Sequence, residues 1–123
     1  MNTDLKNKKK FKEIEIPILN TEYKVIVCFG NAKEIGKVLK RWGHSPSSTI
    51  GGIEDRRGAC FHSEGCHPVI ALPRRPKTPT EIGTLAHESV HAIGHIFKMI
   101  EEKYLDTEIF AHSVGAVVRG VLK

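Results

Sequence analysis

Residues 78–95 read TPTEIGTLAHESVHAIGH and contain the motif His87-Glu88-x-x-His91. On an α-helix, residues four apart lie on the same face, so His87 and His91 would direct two imidazoles at one point. Two converging imidazoles suit a tetrahedral zinc ion. Glu88 follows His87 by one residue and projects beside the ion, where it suits a general base that activates water. The stretch therefore predicts a zinc site on a helix.

The flanks of this motif predict a helix over residues 79–102. Thr78 with Glu81 three residues later is typical of a capping box, and Pro79 would occupy the first helical position. A broad, mostly apolar face follows the helical period, which favours a buried helix over the exposed helices on which such motifs occur by chance. The members of this face are Ile82, Leu85, Ala86, Ser89, Val90, Ile93, Ile96, Phe97 and Ile100.

The length of 123 residues predicts one domain, over residues 13–123, after a flexible basic tail at residues 1–12. The formal net charge is +5, and much of the excess lies in this lysine-rich tail. Because Phe11 is its only aromatic residue, the tail offers a single ring on which a base could stack, and a nucleic-acid partner is disfavoured. No apolar run approaches about 18 residues, so no membrane-spanning helix is expected.

The chain contains three cysteines, Cys28, Cys60 and Cys66. An odd number of cysteines, together with a polar N-terminus that lacks the apolar core of a signal peptide, indicates a reducing compartment. We therefore predict a cytoplasmic protein, with Cys28 as a small core residue in an apolar strand.

The remaining patterns predict an α+β fold. It consists of a small, mainly antiparallel sheet of about four strands, packed on the motif-bearing helix and a C-terminal helix. A further helix follows a cap at Asn31 and ends at Gly43. The C-terminal helix is expected over residues 107–121, and the strands are expected over residues 13–19, 23–29, 58–62 and 67–72.

A catalytic zinc takes three protein ligands and keeps one open position, so a third ligand is needed. His95 continues the stripe of His87 and His91. Three ligands along one helix would, however, span about 12 Å, which is too far to share an ion. Glu108 begins the next helix, which a short turn folds back antiparallel, so its carboxylate approaches from a second direction. We favour Glu108 over His95 as the third ligand.

Two segments carry a family resemblance: TLAHESVHA at residues 84–92 and DTEIFAHSVG at residues 106–115. Together they resemble small phage-type zinc metallopeptidases and, more broadly, the gluzincins, the thermolysin-like enzymes with two zinc histidines on one helix and a glutamate on the next. The resemblance covers about residues 67–121. It implies a minimal zincin-like fold, peptide hydrolysis, and an exposed sheet edge for the substrate, for which we predict strand 67–72.

The resemblance also implies roles for individual residues. Zinc would be bound by His87, His91 and Glu108, and Glu88 would be the base. His112 lies four residues beyond Glu108, where thermolysin-like enzymes carry an aspartate. Two interpretations of His112 stay open: a catalytic residue that donates to the transition-state oxyanion or holds a ligand, and a histidine at the surface or the edge of the core.

Cys60, His62, Cys66 and His67 form a second cluster of metal-binding residue types. They lack a C-x-x-C spacing, so we favour a hairpin around residues 63–65 with reduced cysteines and exposed histidines. Two alternatives stay open. The hairpin could lie over the zinc, so that His62 would stabilise the transition-state oxyanion, or the cluster could hold a second, structural zinc.

The preferred hypothesis is a zinc peptidase that acts on a peptide or protein. The short chain also fits a toxin-like or regulatory protease with one protein substrate. A hypothesis of another class is a non-catalytic binding module, stabilised by the metal, whose basic tail contacts an acidic partner or nucleic acid. A zinc ion closed by a fourth protein ligand would distinguish this module from an enzyme.

Overall fold

The computed structural model describes residues 12–18, 21–45, 57–100 and 107–123. Within these ranges the chain forms an α+β fold of four strands and three helices, as predicted. The predicted tail lies outside the described ranges, except that Lys12 opens the first strand. In chain order the elements are β1 (Lys12–Pro17), β2 (Lys24–Phe29), α1 (Ala32–Arg41), β3 (Ala59–Phe61), β4 (Val69–Leu72), α2 (Pro79–Met99) and α3 (Thr107–Leu122).

The four strands form one mixed sheet in the order β1-β2-β4-β3. β1 and β2 form an antiparallel hairpin, and β3 and β4 form a second one, which is the hairpin predicted around residues 63–65. β2 and β4 run parallel, with Ile26 opposite Val69. β2 is a central strand, because it pairs with β1 on one side and with β4 on the other.

The prediction that strand 67–72 forms the sheet edge is wrong. β4 lies between β2 and β3, so the edge on this side is β3. The reason is burial, since all four residues of β4 are apolar and buried. An uninterrupted apolar run is typical of a strand covered on both faces. β3 contacts α2, so the edge lies beside the helix that carries the motif.

Helices cover both faces of the sheet. β2 shows this best, because Val25, Val27 and Phe29 face a core shared with α2 and α3, whereas Ile26 and Cys28 face a core shared with α1. This alternation follows from the two-residue period of a strand. Cys28 is a core residue, as predicted, and burial raises the pKa of its thiol to about 12.

α2 begins as its sequence predicts. The Thr78 hydroxyl accepts a hydrogen bond from the Glu81 amide at 3.1 Å, and the Glu81 carboxylate accepts one from the Thr78 amide at 3.1 Å. α3 packs on α2, with the rings of Phe97 and Phe110 edge to face at 5.6 Å. None of the helices in the described ranges has the length and apolar character needed to cross a bilayer.

Candidate metal centre

The motif residues converge on the outward side of α2. Their ligand atoms all lie within 4.8 Å of one another: one nitrogen each from His87 and His91 and a carboxylate oxygen from Glu88. Both histidines are exposed and Glu88 is partly buried. Helical spacing alone brings the two rings together, with centroids 4.9 Å apart at an interplanar angle of 75°.

The spacing of the two imidazoles fits a tetrahedral ion. His87 Nε2 and His91 Nε2 are 3.3 Å apart. Two ligand nitrogens at about 2.05 Å from a tetrahedral zinc ion lie about 3.3 Å apart. The same pair of atoms also meets the geometry of a hydrogen bond between the two rings. The spacing of the two nitrogens is thus compatible with a tetrahedral ion.

Glu88 lies close to Cys60 of β3. Burial, and after it the negative charge of Glu88, raises the pKa of the Cys60 thiol to about 12. Among the described residues, the group whose ligand atoms lie within 4.8 Å of one another does not include Cys60. The structure therefore places Cys60 beside the Glu88 carboxylate, outside that group.

Two clefts lie beside the motif. The larger, here called the His91 cleft, has a volume of about 820 Å³, and the smaller, the His87 cleft, has a volume of about 520 Å³. The His91 cleft is lined by Tyr23, His62, Glu64, Gly65, Val90, His91, Gly94, His95, Lys98, Met99 and Phe110. The His87 cleft is lined by Arg57, Gly58, Thr80, Gly83, Thr84, His87 and Glu88. A chain laid across the motif would therefore find room on both sides of it.

The turn between β3 and β4 contacts α2 and forms one wall of the His91 cleft. His95 Nε2 donates a hydrogen bond to the Ser63 carbonyl at 3.1 Å, and the Gly65 amide donates one to Met99 Sδ at 3.3 Å. The ring of His62 lies 4.6 Å from that of His95. His62 thus lines the same cleft as His91, and its oxyanion role stays a prediction.

The other residues of the second cluster serve the fold. His67 Nδ1 accepts a hydrogen bond from the Lys24 amide at 3.1 Å, and burial lowers the pKa of its ring. The His67 carbonyl accepts one at 2.7 Å from His44, a buried histidine that no sequence pattern singled out. The Cys66 thiol points to the Gly43 carbonyl at 3.8 Å.

A second metal therefore has no support in this cluster. Among the residues that the structure describes, only His87, Glu88 and His91 bring three ligand atoms within 4.8 Å of one another.

Glu108 and His112 lie on α3, as predicted, and both are exposed. Within the described ranges, neither side chain joins the group formed by His87, Glu88 and His91. Their roles as third ligand and as catalytic residue stay predictions. His95, the disfavoured alternative ligand, is hydrogen-bonded to Ser63 instead.

The sequence patterns do not point to most of the residues that line the clefts. Tyr23 precedes β2, Arg57 precedes β3 and Phe110 lies on α3, so only the folded chain brings them to α2. Tyr23 and Phe110 are aromatic residues near the end of an element, which is the one sequence feature that could have indicated a place in a cleft. No feature of the sequence indicates such a place for Arg57. Comparisons with protein-family models, curated proteins and solved structures find no match.

Proposed function

We propose that the protein is a zinc-dependent peptidase in which Glu88 is the general base. The observation that carries the proposal is the 3.3 Å separation of His87 Nε2 and His91 Nε2, with the Glu88 carboxylate beside them and a cleft next to each histidine. A structural metal needs no clefts, whereas a peptidase needs space for substrate on both sides of the scissile bond.

Zinc suits the donor set, because imidazole nitrogens with one carboxylate oxygen are its usual ligands at hydrolytic sites. His87 and His91 would hold it, and we propose Glu108 as the third ligand. When bound, zinc supplies Lewis acidity, which polarises a carbonyl and lowers the pKa of water to about 7.

The chain itself supplies proton transfer and alignment. Glu88 accepts the proton of the attacking water and donates it to the leaving amine. β3 pairs with β4 on one side, and among the described residues no strand pairs with its other side, so an extended peptide can add there. For the transition-state oxyanion, we propose His62 and His112 as the candidate donors.

The proposed partner is a peptide or protein substrate, and the proposed compartment is the cytoplasm. The free cysteines Cys28, Cys60 and Cys66 support a reducing environment. The modest size of the domain fits a narrow substrate range, as in a toxin-like or regulatory protease.

The test combines two measurements on one variant, Glu88→Gln. The amide keeps the shape of the carboxylate but cannot act as a base, so hydrolysis of unfolded casein should fall by about 10²–10⁴-fold. Zinc content, measured by mass spectrometry of the metal, should stay near that of the wild type because we assign Glu88 as the base and Glu108 as the third ligand. Glu22→Gln, in the exposed turn between β1 and β2, is the matched control and should change neither quantity.

His91→Ala completes the experiment, because loss of a ligand should remove most of the zinc and the stability that zinc adds. Full zinc occupancy in His91→Ala would reject the site. Loss of zinc from Glu88→Gln would make Glu88 a ligand, and full activity in that variant would reject its role as base. X-ray absorption that shows four protein ligands would favour the non-catalytic binding module.

A further inference from the structure

The two clefts differ in charge. The lining of the His91 cleft includes one acidic and one basic side chain, Glu64 and Lys98. Among the described residues that line the His87 cleft, Arg57 and Glu88, the proposed base, are the charged ones. Arg57 is exposed, and among the described residues no carboxylate forms an ion pair with it. The His87 cleft therefore presents one guanidinium that a ligand can use.

The floor of the His87 cleft is open beside α2. A Cβ atom added at Gly83 would meet no atom within 4 Å. Glycine inside a helix is less favourable than alanine, and it suits a place where a ligand comes close to the backbone. A Cβ atom at Gly58 would lie 2.8 Å from Leu72 Cδ2 and 3.0 Å from Thr84 Cγ2, so the segment 57–58 packs against β4 and α2. The cleft is an open depression at the surface beside this segment and the start of α2.

We propose that Arg57 determines specificity by binding a carboxylate of the substrate in the His87 cleft. The carboxylate belongs to an aspartate or glutamate on that side of the scissile bond, or to the C-terminus of the substrate. A planar guanidinium matches a carboxylate with two parallel hydrogen bonds, which an uncharged amide cannot reproduce. The proposal rests on the proposed peptidase function and adds the class of substrate.

The experiment uses the full-length, zinc-loaded protein and a peptide library derived from a proteome, with cleavage sites read by mass spectrometry. Matched synthetic peptides then carry glutamate or glutamine at the selected position, each with a free or an amidated C-terminus. We expect a preference of about tenfold or more in kcat/KM for the carboxylate. Retention of the preference with an amidated C-terminus identifies a side chain as its source, and loss identifies the C-terminal carboxylate.

Three variants assign the preference to a residue. Arg57→Ala should abolish it, and Arg57→Lys should retain part of it, because the charge stays but the paired geometry is lost. Lys77→Ala removes the same charge from an exposed residue outside both clefts and should leave the preference unchanged. Cleavage without a carboxylate preference, or a preference that survives Arg57→Ala, would overturn the proposal.

A binding measurement separates this proposal from the peptidase function. The zinc-loaded Glu88→Gln variant should bind a fluorescent glutamate peptide more tightly than its glutamine counterpart, and Arg57→Ala in the same background should remove the difference. If the wild type cleaves no peptide but this difference is found, the peptidase function fails and the role of Arg57 stands. If neither cleavage nor a difference in binding is found, both fail.

Discussion

Replacement of Gly94 by alanine should stabilise the protein. Gly94 lies inside α2, three residues beyond His91, and a Cβ atom added there would meet no atom within 4 Å. Alanine is favoured over glycine in a helix interior by about 0.5–1 kcal/mol. Gly94→Ala should therefore raise the free energy of unfolding by about this amount, and the Tm by about 2–5 °C for a domain of this size.

Gly120→Ala is the matched control, because the backbone change is the same but the surroundings differ. A Cβ atom at Gly120 would lie 2.9 Å from Ile16 Cδ1 and 3.2 Å from Ile16 Cγ1. Ile16 is 8% exposed and belongs to the main core, so it has little room to move. Overpacking of this kind costs about 1–3 kcal/mol, which exceeds the gain in helix propensity.

Urea unfolding followed by circular dichroism gives both free energies. Samples should contain a chelator, so that metal binding does not add to the stability of either variant. A fall in stability for Gly94→Ala, or an equal rise for both variants, would refute the packing described for these two glycines.

Two further predictions concern the third ligand and acid stability. Glu108→Ala should lower zinc content far more than His95→Ala, and the reverse order, measured on dialysed protein, would place the third ligand on α2. Hydrogen bonds from the backbone amides of Lys77 and Thr78 lower the pKa of Glu81 from 4.5 to about 2, so its contribution to stability is full above about pH 4.5 and is lost as the pH falls through about 2. In the wild type, the urea concentration at half unfolding should fall as the pH is lowered from about 4.5 to about 2, and Glu81→Gln should make this fall smaller. An unchanged pH profile would contradict a contribution of Glu81 to stability.

Local signals predicted most of the elements. The capping boxes at Asn31 with Glu34 and at Thr78 with Glu81 both form, because each depends on residues only three apart. The same locality explains why the pairing of His87 with His91 was predictable, since helix geometry alone fixes it.

The sheet order could not be predicted in the same way. The parallel pairing of β2 with β4 joins distant segments, and no turn between them sets the register. The uninterrupted apolar run of β4 was nevertheless a usable sign of a central strand.

One side chain of α2 departs from the pattern of buried apolar positions. Val90 follows the apolar period but is 46% exposed, because it lines the His91 cleft instead of the core. Periodicity identifies the apolar positions of a helix but does not distinguish the wall of a cleft from the interior.

The parallel pairing of β2 with β4 also has a consequence for the order of folding. Residues 26 and 69, which face each other in the two strands, are 43 positions apart in the chain. Closing so long a loop loses more entropy than closing the short β1–β2 turn, so the first hairpin can form early and the central pairing later. α2 follows β4 directly and packs on the completed sheet. We therefore expect the candidate metal centre to reach its final position only in the last steps of folding, when the long-range contacts are made.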